Sequence, residues 1–104
     1  MEIVETPLFT RLLQEMLADN EYRQMQAFLI RRPDAGLVIP GSGGLRKLRW
    51  SVEKKSRGKR GGARVIYKWF RDEHRLFLVT MYEKSAQENL TNEQLKALRT
   101  FLEE

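Results

Sequence analysis

The chain contains no cysteine, one histidine and three prolines in 104 residues. Without cysteine there is neither a disulfide nor a thiolate metal site, which fits a reducing compartment, and a cytoplasmic location is expected. With His74 alone, a histidine-rich metal cluster and a two-histidine ribonuclease mechanism are both excluded. No apolar run approaches the ~20 residues that a membrane helix needs. The start, Met1-Glu2-Ile3-Val4-Glu5, is acidic and too poor in apolar residues to resemble a secretory signal. Disorder along the whole chain is excluded as well, because 41% of the residues are hydrophobic and 10% aromatic, enough to bury a core. The length suits one domain spanning residues 1–104.

What the chain does have is positive charge, and it is concentrated. The formal net charge is +5. Between Leu45 and Arg71 there are 11 Lys and Arg residues against a single acid, Glu53. The remainder is net acidic. One strongly cationic third in a compact chain implies a surface that meets a polyanion, most naturally phosphate.

The hydrophobic pattern places this region within a fold. Ile3-Val4 reads as a short strand. Pro7 suits the first turn of a helix, and Leu8, Leu12, Leu13, Met16 and Leu17 carry the helical spacing to Ala18. Asp19-Asn20 offers a cap for a second helix, whose stripe is Tyr22, Met25, Phe28 and Leu29 and which ends before Pro33. Asp34 to Gly44 reads as a loop. Gly41-Ser42-Gly43-Gly44 lacks the Lys-Ser/Thr and the preceding strand of a phosphate loop, so it is a chain reversal. Leu45 to Val52 alternates, with Lys47, Arg49 and Ser51 on one face and Leu48, Trp50 and Val52 on the other. Glu53 to Gly62 is rich in Lys, Arg and Gly, has no apolar side chain and reads as a flexible basic loop between two strands. Ala63 to Phe70 is a second strand, and Leu76 to Tyr82 a third, apolar enough to be covered on both faces. Thr91-Asn92-Glu93-Gln94 is a capping box for a last helix, with Leu90 and Leu95 as its staple. The expected order is βααβββα: an α+β domain, mainly antiparallel, with helices packed on one face.

The available chemistry is narrow. The basic region has no paired carboxylates, so two-acid and two-metal hydrolysis are poorly served. Serines have only His74 as an imidazole partner, and His74 lies in a charged turn. Lys, Arg and Tyr remain, and they suffice for metal-free RNA cleavage, because RNA brings its own nucleophile in the 2′-hydroxyl. Arginine forks phosphate oxygens, and a lysine among other cations loses proton affinity. A tyrosine stacks or relays a proton. In an antiparallel meander Arg64, at the start of one strand, lies near Tyr82 and Lys84, at the end of the next. Lys47 and Arg49 project together from the preceding strand.

Three segments carry a resemblance: Gly43-Gly44-Leu45-Arg46-Lys47-Leu48-Arg49, Gly58-Lys59-Arg60-Gly61-Gly62-Ala63-Arg64-Val65-Ile66-Tyr67 and Leu78-Val79-Thr80-Met81-Tyr82-Glu83-Lys84. Together they closely resemble the HigB branch of the RelE toxin superfamily, over nearly the whole chain. The resemblance implies a RelE-like fold and a type II toxin that cuts mRNA in the ribosomal A site. The implied partners are mRNA, the 70S ribosome with its 16S rRNA, and a HigA-like helix-turn-helix antitoxin. Operator DNA is reached only through the antitoxin complex, and no cofactor, metal or membrane is implied. Arg64 matches the family's phosphate-contacting arginine. Lys47, Arg49 and Lys84 match its other basic positions. Its C-terminal tyrosine has no counterpart in Ser85 to Leu90, and Tyr82 is the substitute on offer. Lys54, Lys55, Arg57, Lys59 and Arg60 are expected to bind RNA. A non-enzymatic toxin of the gyrase-directed ParE type, or an RNA- or rRNA-binding module, shares this fold and is the other class of function.

Overall fold

The computed structural model describes residues 1–54 and 59–103. In chain order the elements are β1 (Glu2–Glu5), α1 (Pro7–Met16), α2 (Asp19–Arg31), β2 (Leu37–Val38), β3 (Leu45–Lys54), β4 (Lys59–Phe70), β5 (Arg75–Glu83) and α3 (Asn92–Glu103). A 3-10 turn, Arg71–Glu73, joins β4 to β5. The five strands form one sheet in the order β1-β5-β4-β3-β2. Only the β1–β5 pair is parallel among these. The α+β class and the mainly antiparallel sheet are as the sequence leads one to expect. Among the described residues no helix is long and apolar enough to cross a membrane.

Apolar alternation divides the core into two layers. Leu48, Val65, Tyr67, Leu76 and Leu78 face α1 and α2, and they pack with Phe9, Met25 and Leu29. Leu45, Ile66 and Val79 point the other way, against Leu95, Leu98 and Leu102 of α3. The helices therefore do not all share one face, as the sequence pattern suggests; α3 covers the opposite one. The reason lies in β5, which sits between β1 and β4 and is apolar on both sides, so each side requires a cover.

Local chemistry fixes the ends of the elements. Thr6 caps α1: its Oγ1 accepts from the Phe9 amide at 3.0 Å and donates to the Val79 carbonyl at 2.7 Å. The capping box of α3 forms as written in the sequence, with Gln94 N donating to Thr91 Oγ1 and Thr91 N to Gln94 Oε1. The start of α2 differs from expectation. Its cap is Ala18, whose amide is satisfied by the Glu21 carboxylate three residues on. Gly41, Gly43 and Gly44 take positive φ in the chain reversal before β3.

Two segments read as loop are partly strand. Leu37–Val38 pairs with Arg46 and Lys47 at the sheet edge. Periodicity cannot register two residues. Side chains hold the segment instead: Gly36 N donates to Tyr67 Oη, and Arg46 Nη1 donates to the Gly36 carbonyl. Residues 53–54 and 59–62, at the two ends of the basic stretch, also continue the β3–β4 ladder, in which Val52 pairs with Gly61, Glu53 with Arg60 and Lys54 with Lys59. Backbone pairing begun by the apolar part of the hairpin extends into residues whose side chains do not favour it.

The pairing of β4 with β5 contains an irregularity. Ile66 lies opposite Thr80, but Tyr67 lies opposite Leu78, which leaves Val79 as an extra residue in β5. This bulge reverses the alternation of β5. Leu76 and Leu78 precede it on the α1–α2 side, and Met81, of odd number, follows it on that same side. Tyr82 is thereby moved to the α3 side.

Candidate active site

On the α3 side of the sheet, side chains stand in cross-strand rows. Arg49, Arg64 and Tyr82 form one row across β3, β4 and β5. Lys47, Ile66 and Thr80 form the next. Directly opposed cations repel each other, so a face bearing Lys47, Arg49 and Arg64 needs an anion.

The anion comes from the 84–91 segment, which returns from β5 across this face. The Glu88 carboxylate takes both arms of a fork from Arg64, Nε to Oε2 and Nη2 to Oε1, each at 3.0 Å. Lys47 Nζ and Arg49 Nη2 each lie 3.6 Å from Oε2. The segment is held at two further points. Tyr82 Oη donates to the Glu88 carbonyl at 3.2 Å, and Lys47 Nζ donates to Asn89 Oδ1 at 2.6 Å.

The electrostatics follow from this geometry. The Glu88 carboxyl is held down to about 2, chiefly by the hydrogen bond from Arg64, against some desolvation, and then by the charges of Arg64, Lys47 and Arg49. Burial pushes the Tyr82 phenol above its ordinary value; the Arg64 charge opposes this and the Glu88 charge adds to it. At neutral pH Tyr82, like any phenol, carries a proton that it can donate. Arg64 is 5% exposed.

Lys84 lies at the margin of the pocket. Its amide donates to the Gly62 carbonyl at 2.8 Å. A Cβ on Gly62 would stand 3.3 Å from Arg64 Nη1 and 3.7 Å from Lys84 Cβ, so the missing side chain makes room for both. Arg64, Lys47, Arg49 and Tyr82 are thus brought together, with Lys84 beside them. Lys54, Lys59 and Arg60 sit farther along the β3–β4 ladder. Lys55 and Arg57 lie outside the described residues. His74 occupies an exposed left-handed turn with φ 52°, in the connection between β4 and β5. Ser42 is buried in the turn before β3, bonded to backbone.

Glu88 and Asn89 are not among the residues that the sequence reading singles out. An acid outside the basic third, with no motif around it, gives no local sign that its loop folds back onto Arg64.

A pocket of guanidinium, ammonium and phenol groups around the Glu88 carboxylate can bind a phosphodiester, offset charge that builds on it, and donate a proton. The family model for the RelE toxin of the RelE/RelB toxin–antitoxin system matches residues 1–103. The chain belongs to the RelE toxin family. As a RelE-family toxin it is one half of a toxin–antitoxin system, and its protein partner is an antitoxin. The RelE match includes all five strands and extends through α3, so both walls of the pocket lie inside it.

Proposed function

We propose that this RelE-family toxin is an endoribonuclease of the HigB branch that cuts mRNA in the ribosomal A site. The observation that carries the reading is the convergence of Lys47, Arg49 and Arg64 on one pair of oxygens. A scissile phosphodiester presents the same pair. The 2′-oxygen attacks phosphorus, the bond to the 5′-oxygen breaks, one proton leaves the 2′-hydroxyl and another reaches the 5′-oxygen. Arg64 forks two phosphate oxygens, and Lys47 and Arg49 offset the charge that develops on them. Tyr82, a phenol that carries its proton at neutral pH, donates toward the reacting group. Lys84 serves from the margin. Lys54, Lys55, Arg57, Lys59 and Arg60 hold the strand outside the reacting phosphate, on the strength of their charge. The set of groups calls for no cofactor or metal. The reaction belongs in the cytoplasm with the 70S ribosome and its 16S rRNA. A HigA-like helix-turn-helix antitoxin neutralises the toxin, and the pair meets operator DNA through the antitoxin.

The test is to map mRNA 5′ ends on programmed ribosomes. Wild type gives cuts inside the A-site codon, and Arg64→Ala lowers their rate by ~100-fold or more, the scale of one lost transition-state contact. Equal cleavage by Arg64→Ala overturns the assignment. Inhibition of gyrase without any cuts would instead establish the ParE-like reading.

A further inference from the structure

A guanidinium as buried as that of Arg64 keeps its charge and requires a charged or polar partner. Here the partner is the Glu88 carboxylate, bound through the same two-armed geometry that takes two phosphate oxygens. Glu88 differs from Arg64 in two respects. It lies in the 84–91 segment, outside any helix or strand, and its side chain is 42% exposed. It can turn outward into water, whereas Arg64 cannot follow it and is left in need of another anion. The segment need not move with the side chain, because Asn89 Oδ1 is separately held by Lys47 Nζ, an ammonium with hydrogens to spare.

We propose that Glu88 is an internal competitor for an anion: its carboxylate fills the phosphate seat of the free toxin and sets the threshold that an incoming anion has to exceed. This rests on reading the pocket as a phosphate site. A tethered carboxylate has an effective concentration that a lone phosphate in solution does not match. A phosphodiester carries the same single charge as the carboxylate, so a simple exchange of one for the other gains little. An RNA strand brings further phosphates to the basic ladder of β3 and β4, and those contacts supply the difference. The pocket consequently stays shut to free phosphate and opens to RNA. When Glu88 leaves, an anion has to replace it at once, because Arg64 would otherwise be buried without a partner.

The experiment uses the full chain as wild type, Glu88→Gln and Arg64→Ala. Two probes are titrated calorimetrically: inorganic phosphate and a 2′-O-methylated RNA trinucleotide, which lacks the nucleophile. The 13C signal of the Glu88 carboxyl is followed in wild type. Glu88→Gln is expected to tighten both probes by the same factor, ~10-fold or more, since the same competitor is removed from each. In wild type, the trinucleotide is expected to move the Glu88 signal to the position it has in Arg64→Ala. If the trinucleotide binds in an Arg64-dependent way while that signal stays put, the proposal is overturned and the phosphate pocket stands, whatever Glu88→Gln does through its change of charge. If neither probe shows Arg64-dependent binding, the pocket reading itself fails.

Discussion

Arg64 and Tyr82 stand directly opposite each other on β4 and β5 and converge on one residue of a third element. The guanidinium grips the Glu88 carboxylate while the phenol donates to the Glu88 carbonyl. This juxtaposition depends on Val79. Without the extra residue in β5, Tyr82 would face α1 and α2, with sheet between it and Arg64.

Tyr82→Phe separates the chemical from the packing role of this side chain. The ring remains, so the α3-side core is kept, and the lost hydrogen bond costs ~1 kcal/mol of stability. Cleavage on programmed ribosomes is expected to fall by ~100-fold or more if the phenol donates a proton in the transition state. A rate within a few-fold of wild type would make Tyr82 a packed aromatic that also steadies the 84–91 segment.

Thr6 controls the bulge from a distance. Its hydroxyl caps α1 and, in the same geometry, holds the Val79 carbonyl, while its amide donates to the Leu78 carbonyl. Thr6→Ala removes both hydroxyl bonds in a buried place and is expected to cost ~1–2 kcal/mol in denaturant unfolding. Because the bulge aims Tyr82, cleavage is expected to fall with it under conditions where the variant is folded. Thr6→Ser keeps the hydroxyl and restores most of both losses. A loss of stability with unchanged cleavage would show that the bulge holds without Thr6.

The sequence carries most of the framework, because side-chain alternation and capping chemistry are local. The face bearing Lys47 and Arg49 follows from period two along β3. The start of α3 follows from Thr91 and Gln94. Phe9 shows where periodicity is weaker: it is fully buried, while Leu8, at the start of the apolar stripe, is 38% exposed. The bulge at Val79 has no residue signature, since a run of apolar residues reads equally well in either register. Glu88 is hidden for a different reason. Its role depends on a return of the chain across the sheet, and no spacing within 84–91 encodes where that return comes to rest.

The acid limb of stability offers a test of the Glu88 contact in the free protein. The folded carboxyl titrates at about 2 and its ordinary value is 4.5. A group whose acidity is increased by folding stabilises the native state above its ordinary value, where it is ionised in both states. That contribution is lost as the pH falls from about 4.5 to about 2, because the unfolded chain takes up the proton first. Denaturant midpoints measured across this window are therefore expected to decline more steeply for wild type than for Glu88→Gln, which has no proton to take up at this position. At neutral pH the variant is expected to be the less stable of the two, because Lys47, Arg49 and Arg64 then repel one another with no carboxylate between them. Added sulfate should recover part of that loss by occupying the vacated fork, and Arg64→Ala should abolish the recovery. Parallel acid limbs for wild type and Glu88→Gln would mean that the carboxylate is not held by the guanidinium in solution.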